Sequence, residues 1–238
     1  MEPSGAGLAV LAVTVLAAAF VQGGSGVGYA LIVAPVAGLV DPGLLPVFLL
    51  ITMVPLNAYV ALRERSAIDL RGAGWISAAR IAATPPGALL LAAIPAAHLG
   101  LLVGAATVLA ALVSLAAPAF SPGRAAYIGA GAVTGLTETA TGVGGPPLAL
   151  VYQHRPPAEL RSTVALCFLV GEIVSLALLF GTGQAGTGAL LPSLLMLPPL
   201  VVGAALSRLL HGWLDPRRLR IAVLVFALVS GAVLMIGV

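Results

Sequence analysis

The chain has 238 residues, 60% of them hydrophobic and 8% charged, and a mean hydropathy of +1.13. A soluble domain needs about 25% charged residues to present a solvated surface, so this composition excludes a soluble fold and leaves a lipid-solvated one. The formal charge is +3, but the basic residues are scattered arginines with no lysine among them, which excludes a nucleic-acid-binding patch, a Walker phosphate loop and a Schiff-base cofactor.

At ~20 residues per spanning helix there is room for about six to nine crossings. The chain opens Met1-Glu2-Pro3 without a basic segment, so the first apolar run, Gly5–Val21, reads as a retained helix and not a cleaved signal. It is interrupted by Gly23-Gly24-Ser25-Gly26-Val27-Gly28 and continues as a shorter run to Val40. Fuller runs follow at Leu44–Leu62, Gly74–Ile94 and Leu99–Ala117. The pattern then restarts: Ala125–Ala140, an interruption at Thr141-Gly142-Val143-Gly144-Gly145-Pro146-Pro147, a stub to Tyr152, and full runs at Thr163–Phe180, Ala189–Leu210 and Leu219–Val238.

These are two copies of one unit, 1–120 and 121–238. Gly26-Val27-Gly28 aligns with Gly142-Val143-Gly144, and at the same offset Gly87 falls on Gly203 and Gln22 on Glu138. If each broken segment stays on the side it entered from, ten arginines share one face, which the positive-inside rule makes cytoplasmic; Arg80 alone lies inside a span. Arg63–Arg71 is basic while the equivalent loop, Gly181–Gly188, carries no charge. The expected fold is therefore an all-α membrane protein of two inverted-topology repeats. Each repeat is a broken or re-entrant helical hairpin plus three transmembrane helices, and both termini lie outside the plasma membrane of a bacterial cell.

Glycine-rich breaks at equivalent positions of inverted halves point to a midplane transport site. Half-helix N-termini offer free N–H groups and partial positive charge. Gly24, Ser25, Gly26, Gly28, Thr141, Gly142, Gly144 and Gly145 are therefore candidate substrate-binding residues, with Arg80 as an anion contact. The competing role for glycine is close helix packing, which the i to i+4 spacing of Gly131 and Gly135 suggests. Ionisable residues within spans cost ~2.5–3.5 kcal/mol each on insertion scales and need a reason. Glu138, one turn before the second break, and Glu172, mid-span, are candidate proton-coupling residues; neutral Gln22 is the position paired with Glu138. For Arg80 the structural alternatives are a pair with Glu172 or a side chain snorkelling to the interface.

The breaks with Val33-Ala34-Pro35, the turn Ile68-Asp69-Leu70-Arg71 and the segment Leu214-Asp215-Pro216 leading into Leu219-Arg220 resemble the TauE/SafE sulfite-exporter family of membrane transporters. The resemblance covers nearly the whole chain. It implies transport of sulfite, organosulfonates or related anions, driven by a proton gradient. Tyr29-Ala30 departs from the glycine with which many relatives continue the first break.

The implied partners are a small anionic solute and the lipid bilayer, with no nucleic acid; a homo-oligomer is left open. No cofactor or metal is expected, since Cys167 is the single cysteine. An anion channel is the alternative. The Gly23-Gly24-Ser25-Gly26 run also matches an intramembrane serine-protease motif, but His98, His154 and His211 all fall in connections, so no span supplies the base such chemistry needs.

Overall fold

In the computed structural model, residues 4–116, 122–209 and 216–237 are described, and every long element is a helix. Large apolar side chains such as Val13, Leu89, Val201 and Val229 stand exposed on the outside of their helices, the surface expected of a chain solvated by hydrocarbon.

Helix α1 (Gly5–Ser25) starts at Ser4, whose hydroxyl accepts the Gly7 N–H at 3.1 Å. It stops at Gly26, which takes a left-handed conformation (φ 84°) while its N–H closes on the Gln22 carbonyl at 2.7 Å. Only glycine adopts that backbone without a Cβ penalty. The second break is made the same way: α6 (Arg124–Thr141) stops at Gly142 (φ 79°), whose N–H closes on the Glu138 carbonyl at 2.7 Å. The match extends to side chains. Ser25 Oγ accepts the Val27 N–H (3.3 Å) and donates to the Val21 carbonyl; Thr141 Oγ1 accepts the Val143 N–H (3.1 Å) and donates to the Thr137 carbonyl.

Each break is followed by a short helix, α2 (Tyr29–Val40, 12 residues) and α7 (Gly145–Tyr152, 8 residues). At 1.5 Å per residue they reach about 18 and about 12 Å, short of a ~30 Å hydrocarbon core. The remaining helices are α3 (Val47–Arg63), α4 (Leu70–Ala93), α5 (Leu99–Ala116), α8 (Pro157–Gly181), α9 (Leu190–Leu195), α10 (Leu197–Leu209) and α11 (Pro216–Ile236). Among the described residues, five helices are long and apolar enough to cross a membrane, and a sixth span arises if the bent pair α9–α10 counts as one.

The run expected as one span over Ala189–Leu210 is thus broken at Met196, where the chain turns by 47°. The run Leu44–Leu62 forms a helix of 17 residues, so of the three full runs expected in the first half only those of α4 and α5 reach spanning length, alongside α1. Helix α8 begins at Pro157, six residues before the expected start, because Pro156-Pro157 supplies an N-terminal start. This places Arg161 inside a helix and not in a connection. His98 closes a short 3₁₀ turn (Ala96–His98) and His154 lies in a turn; Leu214, Asp215 and His211, and the side chain of Arg217, lie outside the described residues.

The bundle is built by partner exchange. Helix α6 lies along α4 and α1 along α10, while α3 packs on α8 and α5 on α11. Glycines permit the two closest approaches. A Cβ on Gly131 or Gly135 would stand 2.3 or 2.4 Å from the Ile76 or Arg80 carbonyl oxygen, and one on Gly203 would stand 2.2 Å from that of Leu16. Gly131 and Gly135 therefore do what their spacing suggested. Gly129, on the outer face of α6, has nothing within 4 Å. Gly135→Leu is accordingly expected to destabilise the protein by about 1–3 kcal/mol or more through overpacking, while Gly129→Leu leaves the melting temperature in detergent near that of the parent.

Candidate functional site: two helix breaks around one cavity

The two breaks meet at a cavity of about 400 Å³. Gly24, Ser25 and Gly28 line it from the first break and Gly145 and Pro146 from the second, with Ser207 of α10 and Leu219, Val223 and Leu224 of α11 opposite. Arg155, Arg161 and Arg220 also border it. The walls are otherwise largely apolar, and the size falls in the range of small-molecule sites.

The other candidate glycines have different tasks. Gly26 and Gly142 hold the left-handed turns, and a Cβ on Gly26 would stand 2.9 Å from the Arg161 Cα. Gly144 packs against α6: a Cβ there would come within 2.8 Å of Glu138 Cβ and 2.9 Å of Thr134 Cγ2. Thr134 Oγ1 donates to the Gly144 carbonyl at 3.0 Å, fixing the entry to α7. A Cβ on Gly145 would meet only the tip of Phe168, at 3.9 Å. Of the sequence candidates, Gly24, Ser25, Gly28 and Gly145 therefore face the cavity, and Gly26, Thr141, Gly142 and Gly144 build its frame.

The half-helix N-termini are poorer in donors than the sequence pattern suggested. The Tyr29 N–H at the start of α2 is already taken by Gln22 Oε1 at 3.0 Å. At the start of α7, Pro146 and Pro147 carry no N–H at all. Amide donation to an anion from this second half-helix is confined to Gly144 and Gly145, the orphan donors that precede the two prolines.

Behind the cavity lies a buried polar cluster. Gln22 Nε2 donates to Asn57 Oδ1 (2.8 Å), and Asn57 Nδ2 donates to Glu172 Oε1 (2.6 Å). This chain runs from the first break through α3 into α8. The other Glu172 oxygen, Oε2, is buried with no hydrogen-bond partner among the described residues. Asn57 is a residue the sequence reading missed, although an amide in the middle of an apolar run was a visible signal.

A second chain starts at the other break. Glu138, beside Gly144, forms an ion pair with Arg80 of α4. Both side chains are fully buried, at about 0% exposure. Neither structural alternative for Arg80 holds: it does not snorkel, and its ion-pair partner is Glu138 and not Glu172. Arg80 also donates through Nη1 to the Cys167 carbonyl at 2.9 Å, and its guanidinium lies 5.2 Å from the Phe168 ring centroid. Gly171 leaves the space it occupies, since a Cβ there would overlap Arg80 Nε. Both polar chains thus end within about one turn of α8, at Cys167, Gly171 and Glu172. A hydrogen bond between Thr139 and Ser175 (2.8 Å) ties α6 to the next turn of the same helix.

At the mouth, Glu64 after α3 accepts from Arg161 Nε (3.0 Å) and Nη2 (2.9 Å) and from Arg63 Nη2 (3.0 Å). Arg63 Nη2 also donates to the Gly23 carbonyl at 3.0 Å. Arg220 Nη2 donates to the Ser114 carbonyl at 2.6 Å. No cluster of metal-ligating side chains occurs among the described residues.

The family model for the sulfite exporter TauE/SafE matches residues 10–234. The chain belongs to the TauE/SafE family. Its members are membrane transporters, and the apolar helices make this member a multi-pass membrane protein. No curated protein and no solved structure matches the chain.

Removing one partner of a buried ion pair leaves an uncompensated charge and costs about 3–5 kcal/mol. Glu138→Gln is expected to lower stability by that order. The double variant Arg80→Met/Glu138→Gln recovers much of the loss, as a double-mutant cycle on thermal unfolding in detergent will show.

Proposed function

We propose that the chain is a secondary transporter of small anions, sulfite, organosulfonates or related organic anions. It works by alternating access, with its substrate site in the cavity between the two breaks. The observation that carries this reading is that two breaks far apart in sequence, built from the same hydrogen bonds, border one cavity. Broken helices at equivalent positions are how secondary transporters form a midplane site.

The two-repeat architecture, 1–120 and 121–238, belongs to the same proposal. It is supported by the matched capping at Gly26 and Gly142 and by the exchange in which α1 pairs with α10 and α6 with α4. The arginine distribution argues that the repeats are inverted and both termini lie outside the plasma membrane. In a Cys167→Ala background, a cysteine placed in 181–188 is expected to react with an impermeant reagent from outside, and one beside Arg155 from inside only. Labelling of both from one side would overturn the topology.

On this reading Gly24, Ser25, Gly28 and Gly145 contact the anion, and the framework glycines and Thr141 hold the breaks open. Glu138 and Arg80 neutralise each other within the frame. Glu172, with one oxygen unpartnered, is the coupling carboxylate: a proton there removes one negative charge as the anion enters. Gln22 links that carboxylate to the first break through Asn57.

Reconstituted protein is expected to accumulate sulfite or a small sulfonate only when a pH gradient is imposed. Glu172→Gln keeps counterflow exchange but loses gradient-driven accumulation. Gly145→Ala, for which there is room, retains transport, whereas Gly145→Leu fills the cavity and lowers uptake at least tenfold without unfolding the protein. Wild-type accumulation by Glu172→Gln would remove its proton role, and near-normal uptake by Gly145→Leu would move the substrate site elsewhere.

A further inference from the structure

A second concavity, of about 270 Å³, lies at the N-terminal end of the α4–α6 pair. Arg71 borders it from the first turn of α4, Arg124 from the first residue of α6, and Arg155 from the turn before α8. Three segments distant in sequence thus bring three guanidiniums to one hollow. One carboxylate, Asp69, shares it, but both its oxygens are engaged: Oδ1 accepts the Gly72 N–H (3.0 Å) and Oδ2 the Tyr152 hydroxyl (3.0 Å). Arg124 stacks on the Trp75 ring at 3.7 Å, which fixes its guanidinium at the rim. Arg155 has a single loose ion pair, with Glu159 at 3.6 Å, and Arg71 makes none among the described residues. Three guanidiniums against the carboxylates of Asp69 and Glu159 leave the hollow net positive.

We propose that this hollow binds the phosphate of an anionic phospholipid headgroup. Guanidinium groups suit a phosphate because they present paired donors in a plane. Basic pockets between membrane helices on the arginine-rich side are where such headgroups are held. The surroundings are those of a bilayer interface. Trp75 supplies an aromatic ring of the kind enriched there. Exposed Leu70 adjoins Arg71, and exposed Ile128 lies one turn from Arg124 on the same face of α6. Acyl chains attached to a phosphate in the hollow would lie along these apolar residues. The lipid would then bridge α4 and α6 at the end where no ion pair among the described residues joins them. This site is separate from the transport cavity except at Arg155, which borders both, and its existence does not depend on the transported substrate.

The test uses the full chain purified in neutral detergent, with phosphatidylglycerol, phosphatidylcholine and inorganic phosphate as probes in native mass spectrometry and thermal unfolding. Phosphatidylglycerol is expected to remain bound and raise the melting temperature, and phosphatidylcholine to do neither. Arg71→Gln should weaken retention by roughly fivefold, and Arg71→Gln/Arg124→Gln by roughly fivefold again, from about 1 kcal/mol per basic residue at a membrane surface. Both variants should elute as monodisperse protein; Arg71→Gln alone, at an exposed side chain, decides the matter if the double variant does not. Equal retention by parent and Arg71→Gln, or equal retention of phosphatidylcholine, would overturn the proposal. Stabilisation by millimolar inorganic phosphate that matches phosphatidylglycerol would assign the hollow to a free anion instead.

Discussion

A full positive charge at the centre of a lipid-solvated bundle is tolerable only when an opposite charge is held against it, and Arg80 meets that condition through Glu138. Much of the surrounding packing follows. Helix α4 must lie against α6 closely enough for the pair to form, which requires Gly131 and Gly135 to have no side chain. Helix α8 must leave room for the guanidinium at Gly171 and turn a carbonyl toward it at Cys167. Glu138 in turn stands beside Gly144, so the ion pair also sets where α7 begins. One electrostatic requirement thereby fixes the frame of the second break.

The two breaks share a backbone solution but not a chemistry. Gln22 answers its own half-helix, accepting the Tyr29 N–H, and passes its amide protons on to Asn57. Glu138 faces away, toward Arg80. The second half-helix gives up two donors to Pro146 and Pro147 and gains a rigid start. What looks like a symmetric cradle is thus one polar, hydrogen-bonded wall and one apolar, preorganised wall, with Ser25 and Gly145 at the points where each reaches the cavity.

Much of this arrangement was legible in the sequence because it depends on local rules. Glycine runs break helices and prolines start them, and an ionisable residue in an apolar span demands a partner. The rule did not name that partner. Arg80 and Glu138 are brought together by the exchange of helices between the two halves, so no spacing along the chain could choose Glu138 over Glu172. Arg161 precedes the apolar run that starts at Thr163 and so reads as a loop residue; Pro156-Pro157 open α8 ahead of it, and Glu64 neutralises the side chain that the helix then buries. The division of the glycines into cavity-lining and frame-building sets depends on which neighbours lie within 3 Å, which is tertiary information. Asn57 hid in an otherwise apolar run, where only its polarity marked it.

The bridge at Glu64 has a kinetic side. Arg63 grips the Gly23 carbonyl, Glu64 grips Arg161, and the Arg161 backbone presses on Gly26. The first break, the end of α3 and the beginning of α8 are thereby clamped into a single lever. Under the alternating access proposed above, a rearrangement that exposes the cavity on the opposite side would swing this lever whole or part several charge-assisted hydrogen bonds in one step. Because these groups are only partly buried, mobile ions can screen them. In the alternating-access reading proposed above, ionic strength would therefore tune the switching rate through this bridge as well as the anion's attraction to the arginines that border the cavity.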